Sequence, residues 1–192
     1  KEFSIAVFGL TFVLIGGFLP YHYRDKIRKF FVKKKWNNCR GFFIIAFIVT
    51  AVEETYCFLL GNKVAYPVLW IDILLVFFIW IGWFGAWYFW ISKKYYFTEL
   101  QMILAAGLPG VLYEYVAKPE FLANPLGILI AFPLATVIYS AIFVIPMQAL
   151  NPSGKKTGWK KWVVALILPF LISLPLVIIV FIVLKIFGVV IM

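Results

Sequence analysis

Six long apolar stretches limit the folds open to this chain, because each is long enough to cross a lipid bilayer. The hydrocarbon core is about 30 Å thick, and a helix needs about 20 residues to cross it. The stretches cover residues 3–19, 41–60, 67–91, 97–116, 125–150 and 162–192. The backbone cannot be hydrated in lipid, and the stretches lack the alternation of barrel strands. The predicted fold is therefore all-α: a polytopic integral membrane protein with a bundle of six transmembrane helices.

The composition supports the same class. Of the 192 residues, 65% are apolar, 20% are aromatic and only 14% are charged. An average soluble domain is about 45–50% apolar and about 25% charged. This composition excludes a disordered chain and almost every soluble domain. We predict a single transmembrane domain over residues 1–192.

The basic residues predict the orientation. Fourteen of the 18 lysines and arginines fall within residues 24–40, 93–94 and 155–161, which are the first, third and fifth loops. The opposite side has only Lys1, Lys63 and Lys118, and Lys185 lies inside the last stretch. Because cytoplasmic loops are enriched in basic residues, we expect these three loops in the cytoplasm and both termini outside. The predicted location is the cell membrane, as a multi-pass protein.

The first loop resembles a helix that lies on the membrane surface. Its segment 21–40 mixes basic and aromatic residues, and Ile27, Phe30 and Phe31 fall on one helical face. Such a segment is typical of an interfacial helix on an anionic leaflet. The net charge of +10 is then explained by anionic lipids, without a nucleic-acid partner. The predicted lipid contacts are Arg24, Arg28, Lys29, Lys33, Lys34 and Lys35.

Histidine and cysteine are too few for common cofactor or metal sites. His22 is the only histidine, which excludes bis-histidine haem and multi-histidine zinc or copper centres. The two cysteines are Cys39 and Cys57. In a helix their 18-residue separation spans about 27 Å, too far for a disulfide. We predict no metal and no cofactor.

Two of the apolar stretches are irregular. The fourth contains Gly107, Pro109 and Gly110 near its middle, and a proline there predicts a kink or a break. Broken helices near the midplane often line substrate sites in transporters, although a harmless kink is an alternative. The last stretch is longer than a bilayer requires, so it either tilts or ends near Lys185.

Acidic residues provide the candidate site. Glu53, Glu54 and Asp72 fall inside predicted spans, at similar depth toward the outer side. A carboxylate at a helix centre costs about 2.5–3.5 kcal/mol on insertion scales, so such residues are candidates for function. A neutral acid beside an ionised one is suited to acid–base chemistry, proton transfer or cation binding. These three are the candidate catalytic residues, and further candidates for binding a substrate or an ion are Glu114, Tyr56 and Tyr113.

A structural role is the alternative for these acids. They are placed to pair with Lys63 and Lys118 in the outer loops, or to bond tyrosines across helices. Glu120, in the outer loop, joins the same acidic side, whereas Glu99 lies at the cytoplasmic end of the fourth stretch. There Glu99 is expected to pair with Lys93 or Lys94.

Segment 51–58 (AVEETYCF) resembles the paired-glutamate motif E-E-x-x-x-R of the CAAX-protease and bacteriocin-processing (CPBP) membrane family. Segments 84–88 (FGAWY) and 147–151 (MQALN) resemble its later F-x-x-x-H and H-x-x-x-N elements. The arginine position holds Phe58, and the two histidine positions hold Tyr88 and Met147, while Asn151 matches. The resemblance therefore implies a related membrane protein without carrying over the peptidase mechanism.

Three functions follow from these patterns. The first is an integral membrane subunit of a larger complex, in a structural or accessory role or as part of a homo-oligomer; short loops and few polar groups favour it. The second is a membrane-embedded enzyme or binding protein for a lipid or isoprenoid, using Glu53, Glu54 and Asp72. Aromatic residues of the third stretch would line the apolar pocket of such a protein. The alternative is that these residues face lipid or pack between helices. The third is a proton- or cation-coupled carrier.

Overall fold

The computed structural model describes residues 2–61, 66–117, 125–186 and 188. Within its helices, the side chains of residues 2–5, 113–117, 125–128, 130 and 131 are not described. The chain is 82% helical, and the described residues form no strand. The prediction of an all-helical protein is confirmed.

Seven helices make up the described part of the chain, numbered α1 to α7. Helix α1 consists of Glu2–Phe12, a π-helical turn at Val13–Phe18 and a last turn at Leu19–His22. The others are α2 (Arg24–Lys33), α3 (Cys39–Leu59), α4 (Leu69–Lys94), α5 (Glu99–Ala117), α6 (Pro125–Met147) and α7 (Lys160–Ile186). Each of the six predicted stretches contains one long helix, and α2 falls within segment 21–40, for which an interfacial helix was predicted.

Three of these helices, α3, α4 and α7, are long and apolar enough to cross a membrane. Helices α1 and α2 make a fourth candidate if this pair, bent by 70°, counts as one span. The fully described parts of α5 and α6, Glu99–Leu112 and Phe132–Met147, are apolar but shorter. The described residues therefore support a membrane protein with three to four spanning helices.

The local sequence explains the π-helical turn of α1 and the start of α3. Gly16 and Gly17 lie in the π-helical turn of α1. Glycine eases such a local change in backbone geometry. Helix α3 starts after Asn38, whose Oδ1 accepts a hydrogen bond from the Gly41 amide at 2.8 Å. Asparagine is a preferred residue at this position because it satisfies an amide that the helix leaves unpaired.

Glycines bring the helices into close contact. Gly82 of α4 lies against Ser173 of α7, and Gly107 of α5 lies against Ser140 of α6. A side-chain carbon at Gly107 would lie only 2.5 Å from the Ser140 amide nitrogen. Small residues at such crossings let two backbones approach, which is how helices associate in lipid. The most extensive contacts between helices are accordingly those of α5 with α6 and of α4 with α7.

The predicted break in the fourth stretch is absent. Helix α5 continues through Pro109 without interruption. Pro109 is buried, and the glycines on either side of it pack against Ser140 and Tyr139 of α6. These glycines serve helix packing, so this helix offers no broken segment for a transport site.

The three basic loops meet at one end of the bundle, which we call the basic end. The Asn151 side-chain amide donates to the Asn37 carbonyl oxygen at 3.2 Å, which joins the fifth loop to the first. Lys161, at the start of α7, donates to the Tyr96 carbonyl oxygen at 3.0 Å and to Gln101 Oε1 at 2.9 Å. Because Tyr96 lies in the third loop, between α4 and α5, this contact joins the third loop to the end of the fifth. The long helices thus run between the basic end and the opposite end, where the outer acidic residues were predicted.

Candidate functional site

Two adjacent glutamates of α3 point into the bundle. Glu53 is 8% exposed and Glu54 is 3% exposed. Neighbouring residues of a helix project about 100° apart, so the sequence predicts only that at least one faces inward. Both are buried here, together with Thr50 and Cys57 one turn away on the same helix. We call Glu53 and Glu54 the carboxyl pair.

The two side chains of the carboxyl pair interact with each other and have unused acceptors. They lie close enough to each other to interact directly. The Oε2 atoms of Glu53 and Glu54 are buried and have no hydrogen-bond partner among the described residues. The ion pairs found in the described part of the chain all involve Glu99, so none reaches this pair. A buried polar atom without a partner costs about 1–3 kcal/mol, and more where it is charged, so this arrangement requires an explanation.

Asp72 is close enough to act electrostatically on both glutamates. It is fully buried in the first turn of α4, and its Oδ1 accepts a hydrogen bond from the Tyr66 amide at 2.8 Å. An acidic residue in a first helical turn is stabilised by the helix dipole. Asp72 therefore has a structural role at the start of α4, besides adding negative charge near the carboxyl pair.

Tyr56 is occupied elsewhere. Its hydroxyl lies 2.6 Å from Thr11 Oγ1 and links α3 to α1. The side chains of Tyr113 and Glu114, like Glu120, Lys63 and Lys118, lie outside the described residues, so the predicted roles of these residues stay predictions.

The described residues contain no group of three or more histidine, cysteine or acidic side chains able to hold a metal ion. Cys39 is exposed at the start of α3, whereas Cys57 is buried near its end. The carboxyl pair has only two acidic side chains, fewer than such a group requires. Two adjacent carboxyl groups are suited to holding a proton or a small cation.

The basic end contains a second polar cluster, centred on Glu99. Its Oε2 lies 3.2 Å from an Arg28 nitrogen and 3.6 Å from Arg24 Nε. The predicted partners were Lys93 and Lys94, so the expected pairing is wrong. The reason is that α2 folds back against the bundle and brings its own arginines to the first turn of α5.

Gln148 completes this cluster and was not singled out from the sequence. It is 1% exposed, and its Nε2 donates to Glu99 Oε1 at 2.6 Å while its Oε1 accepts from Arg28 at 2.9 Å. A glutamine near the end of an apolar stretch looks like an ordinary interfacial residue. Only its bonds to two other helices distinguish it. It connects α6 to both α2 and α5.

The predicted lipid contacts of α2 divide into two groups. Arg24 and Arg28 are engaged by Glu99, with side chains about one-third to two-fifths exposed (34% and 43%). Lys29, Lys33 and Lys34, with Lys35 after the helix, are exposed. The lysines thus remain exposed, while the arginines hold α2 to the bundle, and the lipid contacts stay a prediction.

Three aromatic residues in the middle of α4 pack between helices. Trp80 and Phe84 both contact Phe143 of α6, with ring centroids 5.4 and 5.0 Å apart. Trp83 contacts Phe170 of α7, and its ring is 2% exposed. Of the two sequence-based alternatives, helix packing is the one observed for these residues.

The residues that resemble the CPBP motifs do not meet in one site. Tyr88 contacts Phe42 near the start of α3, with ring centroids 5.0 Å apart, and Asn151 contacts the first loop. Glu53 lies 11 residues after Phe42 on α3, which corresponds to about 16 Å along the helix. The resemblance stays a prediction about ancestry.

No known protein family, no curated protein and no solved structure matches this chain.

Proposed function

We propose that this chain is a proton-handling integral membrane protein in which the carboxyl pair, Glu53 and Glu54, is the exchange site. The observation that carries the proposal is the pair of buried Oε2 atoms without partners among the described residues. Two carboxyl groups this close can share a hydrogen bond only if one of them holds a proton. Charging both groups in a low-dielectric interior is costly, so a single shared proton is the favoured arrangement.

Size favours a proton or small cation over a bulky ligand. Both glutamates are more than nine-tenths buried. Two grooves on the described surface lie elsewhere, one on the outward face of α3 and one at the basic end. The alternative of a lipid or isoprenoid enzyme therefore gains no support from the surroundings of the carboxyl pair, and it stays a prediction.

The proposed topology matches this function. We propose that all six long helices cross the cell membrane, with the basic end in the cytoplasm and both termini outside. The meeting of the three basic loops supports this orientation, because basic residues collect on the cytoplasmic side. The carboxyl pair, near the other end of α3, would then exchange protons closer to the outer side.

Labelling with dicyclohexylcarbodiimide tests the proposal, since this reagent modifies protonated carboxyl groups in apolar surroundings. We expect one label per chain in the wild type, measured by mass spectrometry of the purified protein at neutral pH. Glu53→Gln with Glu54→Gln should abolish labelling, while Glu99→Gln, which removes a paired carboxylate at the basic end, should leave it unchanged. Labelling that persists in the folded double variant contradicts the proposal.

A subunit of a larger membrane complex is the second candidate, and α7 favours it. No residue in 174–186 is buried, although this segment is apolar. Its exposed residues include Ile178, Ile179, Phe181 and Ile182, which share one side of the helix. Another membrane protein, or a second copy, would cover this side. Native mass spectrometry of the 22.1 kDa chain after mild extraction tests this: a fixed ratio to other polypeptides supports it, and a lone chain contradicts it.

A further inference from the structure

A groove at the basic end combines positive charge with exposed aromatic rings. It has a volume of about 450 Å³ and lies between the last turns of α4 and the fifth loop. Four lysines and two aromatic residues line it: Lys93, Lys94, Lys155, Lys156, Phe89 and Trp90. We call it the lysine groove. It is separate from the carboxyl pair and from the arginines of α2.

The backbone holds the fifth loop against the end of α4. The amides of Ser153 and Gly154 both donate to the Ser92 carbonyl oxygen at 3.0 Å. The Lys156 amide donates to the Lys94 carbonyl oxygen at 3.1 Å, and the Lys156 carbonyl oxygen accepts from the Tyr96 amide at 2.9 Å. These bonds fix two lysines of the loop beside two lysines of the helix, so the charges are gathered by the fold.

Gly154 is required for this arrangement. Its Cα lies so close to Tyr95 that an added Cβ would overlap the Tyr95 backbone, with the carbonyl carbon at 2.5 Å. A larger residue would push the loop away from α4 and open the groove. The close approach supports a built site in preference to a chance cluster of surface lysines.

The positive charges of the groove are not balanced by described acids. All four lysines are exposed. At the basic end, Glu99 is the acid that forms ion pairs among the described residues. It is already bonded to Arg24, Arg28 and Gln148, and none of the four lysines is among its partners. Nearby like charges repel, and an anion with several oxygens between them removes this cost.

The aromatic rings indicate which kind of anion fits. Phe89 is 45% exposed and Trp90 is 53% exposed, and both lie on the turn of α4 just before the lysines. In membrane proteins, aromatic rings next to the basic end of a spanning helix typically mark the boundary between lipid headgroups and acyl chains. A free phosphate ion would use the lysines alone, whereas a phospholipid would use the lysines for its phosphate and the rings for its chains.

We propose that the lysine groove binds an anionic phospholipid, with the phosphate between the four lysines and the start of the acyl chains against Phe89 and Trp90. The site gives this end of the bundle a specific lipid contact, in addition to any general attraction of α2 to an anionic surface. The proposal is independent of proton exchange at the carboxyl pair.

Native mass spectrometry of the full chain with added lipid tests this. Phosphatidylglycerol is the probe, and phosphatidylcholine is the neutral-headgroup reference. We replace Lys93, Lys94, Lys155 and Lys156 by glutamine. The matched control replaces Lys29, Lys33, Lys34 and Lys35, which removes the same charge from α2 and its end. Because the four groove lysines would hold one headgroup together, we expect phosphatidylglycerol retention to fall roughly tenfold or more in the groove variant. The control lysines attract an anionic surface but are spread along α2 and its end, so their variant should lose several-fold less.

Three results would overturn the proposal. Equal losses in the groove and control variants would mean that only total surface charge matters. Equal retention of phosphatidylcholine by the wild type would remove the requirement for an anion. Displacement of phosphatidylglycerol by millimolar inorganic phosphate would identify a free-phosphate site. If the fourfold variant does not fold, Lys155→Gln with Lys156→Gln, in the exposed loop, replaces it, with Lys33→Gln and Lys34→Gln as its control and the same criteria.

Discussion

Replacing Gly82 by alanine should destabilise the contact between α4 and α7, whereas the same change at Gly85 should not. The two glycines lie one turn apart on α4. A Cβ at Gly82 would lie 2.7 Å from Ser173 Cα and 2.8 Å from its amide nitrogen, while a Cβ at Gly85 meets nothing within 4 Å. Favourable carbon contacts need about 3.5–4.0 Å, so only the first variant forces the helices apart, by roughly 1 Å.

The expected magnitude follows from three contributions to stability. In both variants the higher helix propensity of alanine raises the free energy of unfolding by about 1 kcal/mol. Only Gly82→Ala has the overpacking cost of about 1–3 kcal/mol. It also strains the Ser173 hydroxyl bond to the Ile79 carbonyl oxygen, 2.9 Å long, which contributes about 0.5–1.5 kcal/mol. Gly82→Ala should therefore be less stable than Gly85→Ala by roughly 1.5–4.5 kcal/mol.

Unfolding in mixed micelles with increasing dodecyl sulfate, followed by circular dichroism, measures this difference. The propensity term is common to both variants, so their difference in unfolding free energy isolates the packing of α4 on α7. We expect Gly85→Ala to match or exceed the wild type. Equal stability of the two alanine variants, or a more stable Gly82→Ala, would refute the close contact.

Three further predictions concern named hydrogen bonds and ion pairs. A double-mutant cycle of Tyr56→Phe and Thr11→Val should give a coupling of about 0.6–1.7 kcal/mol in the same unfolding assay; purely additive effects would exclude their bond. Asn38→Ala should destabilise the protein by about 1 kcal/mol through loss of the cap on α3, and Asn38→Ser should restore most of it; if serine is no better than alanine, the cap is not the cause. Glu99→Gln should lower the free energy of unfolding by about 1 kcal/mol at low salt. Both arginine ion pairs are lost, while the side-chain amide of Gln148 still has an oxygen to which it can donate. Added salt should shrink this loss, since screening already weakens the wild-type pairs, and a loss that is independent of salt contradicts the ion-pair account.

The positions of the helices were predictable, because the length of each apolar stretch and the polar loops between them are local properties. The predicted stretches 41–60 and 67–91 correspond to α3 and α4 within a few residues. Of the predicted kink or break at Pro109, the break is absent, and the flanking glycines pack against α6. A proline removes one backbone hydrogen bond, and surrounding helices can compensate for that loss.

The sites were only partly predictable for a different reason. The helices are apolar on all sides, so the pattern does not indicate which face is inward. Glu53 and Glu54 were recognisable by their cost in lipid, but the burial of both, and the link from Tyr56 to Thr11, depend on neighbouring helices. Gln148 carries no such signal, because its role comes from partners 49 and 120 residues away in the chain.

Infrared spectroscopy of the protein in lipid at neutral pH tests the central claim most directly, because a protonated carboxyl group has a carbonyl band that a carboxylate lacks. We predict this band in the wild type and in Glu99→Gln, a downshift on exchange into heavy water, and its loss when Glu53 and Glu54 are both replaced by glutamine. A wild-type spectrum without the band, or a band that survives in the folded double variant, would contradict a shared proton at the carboxyl pair.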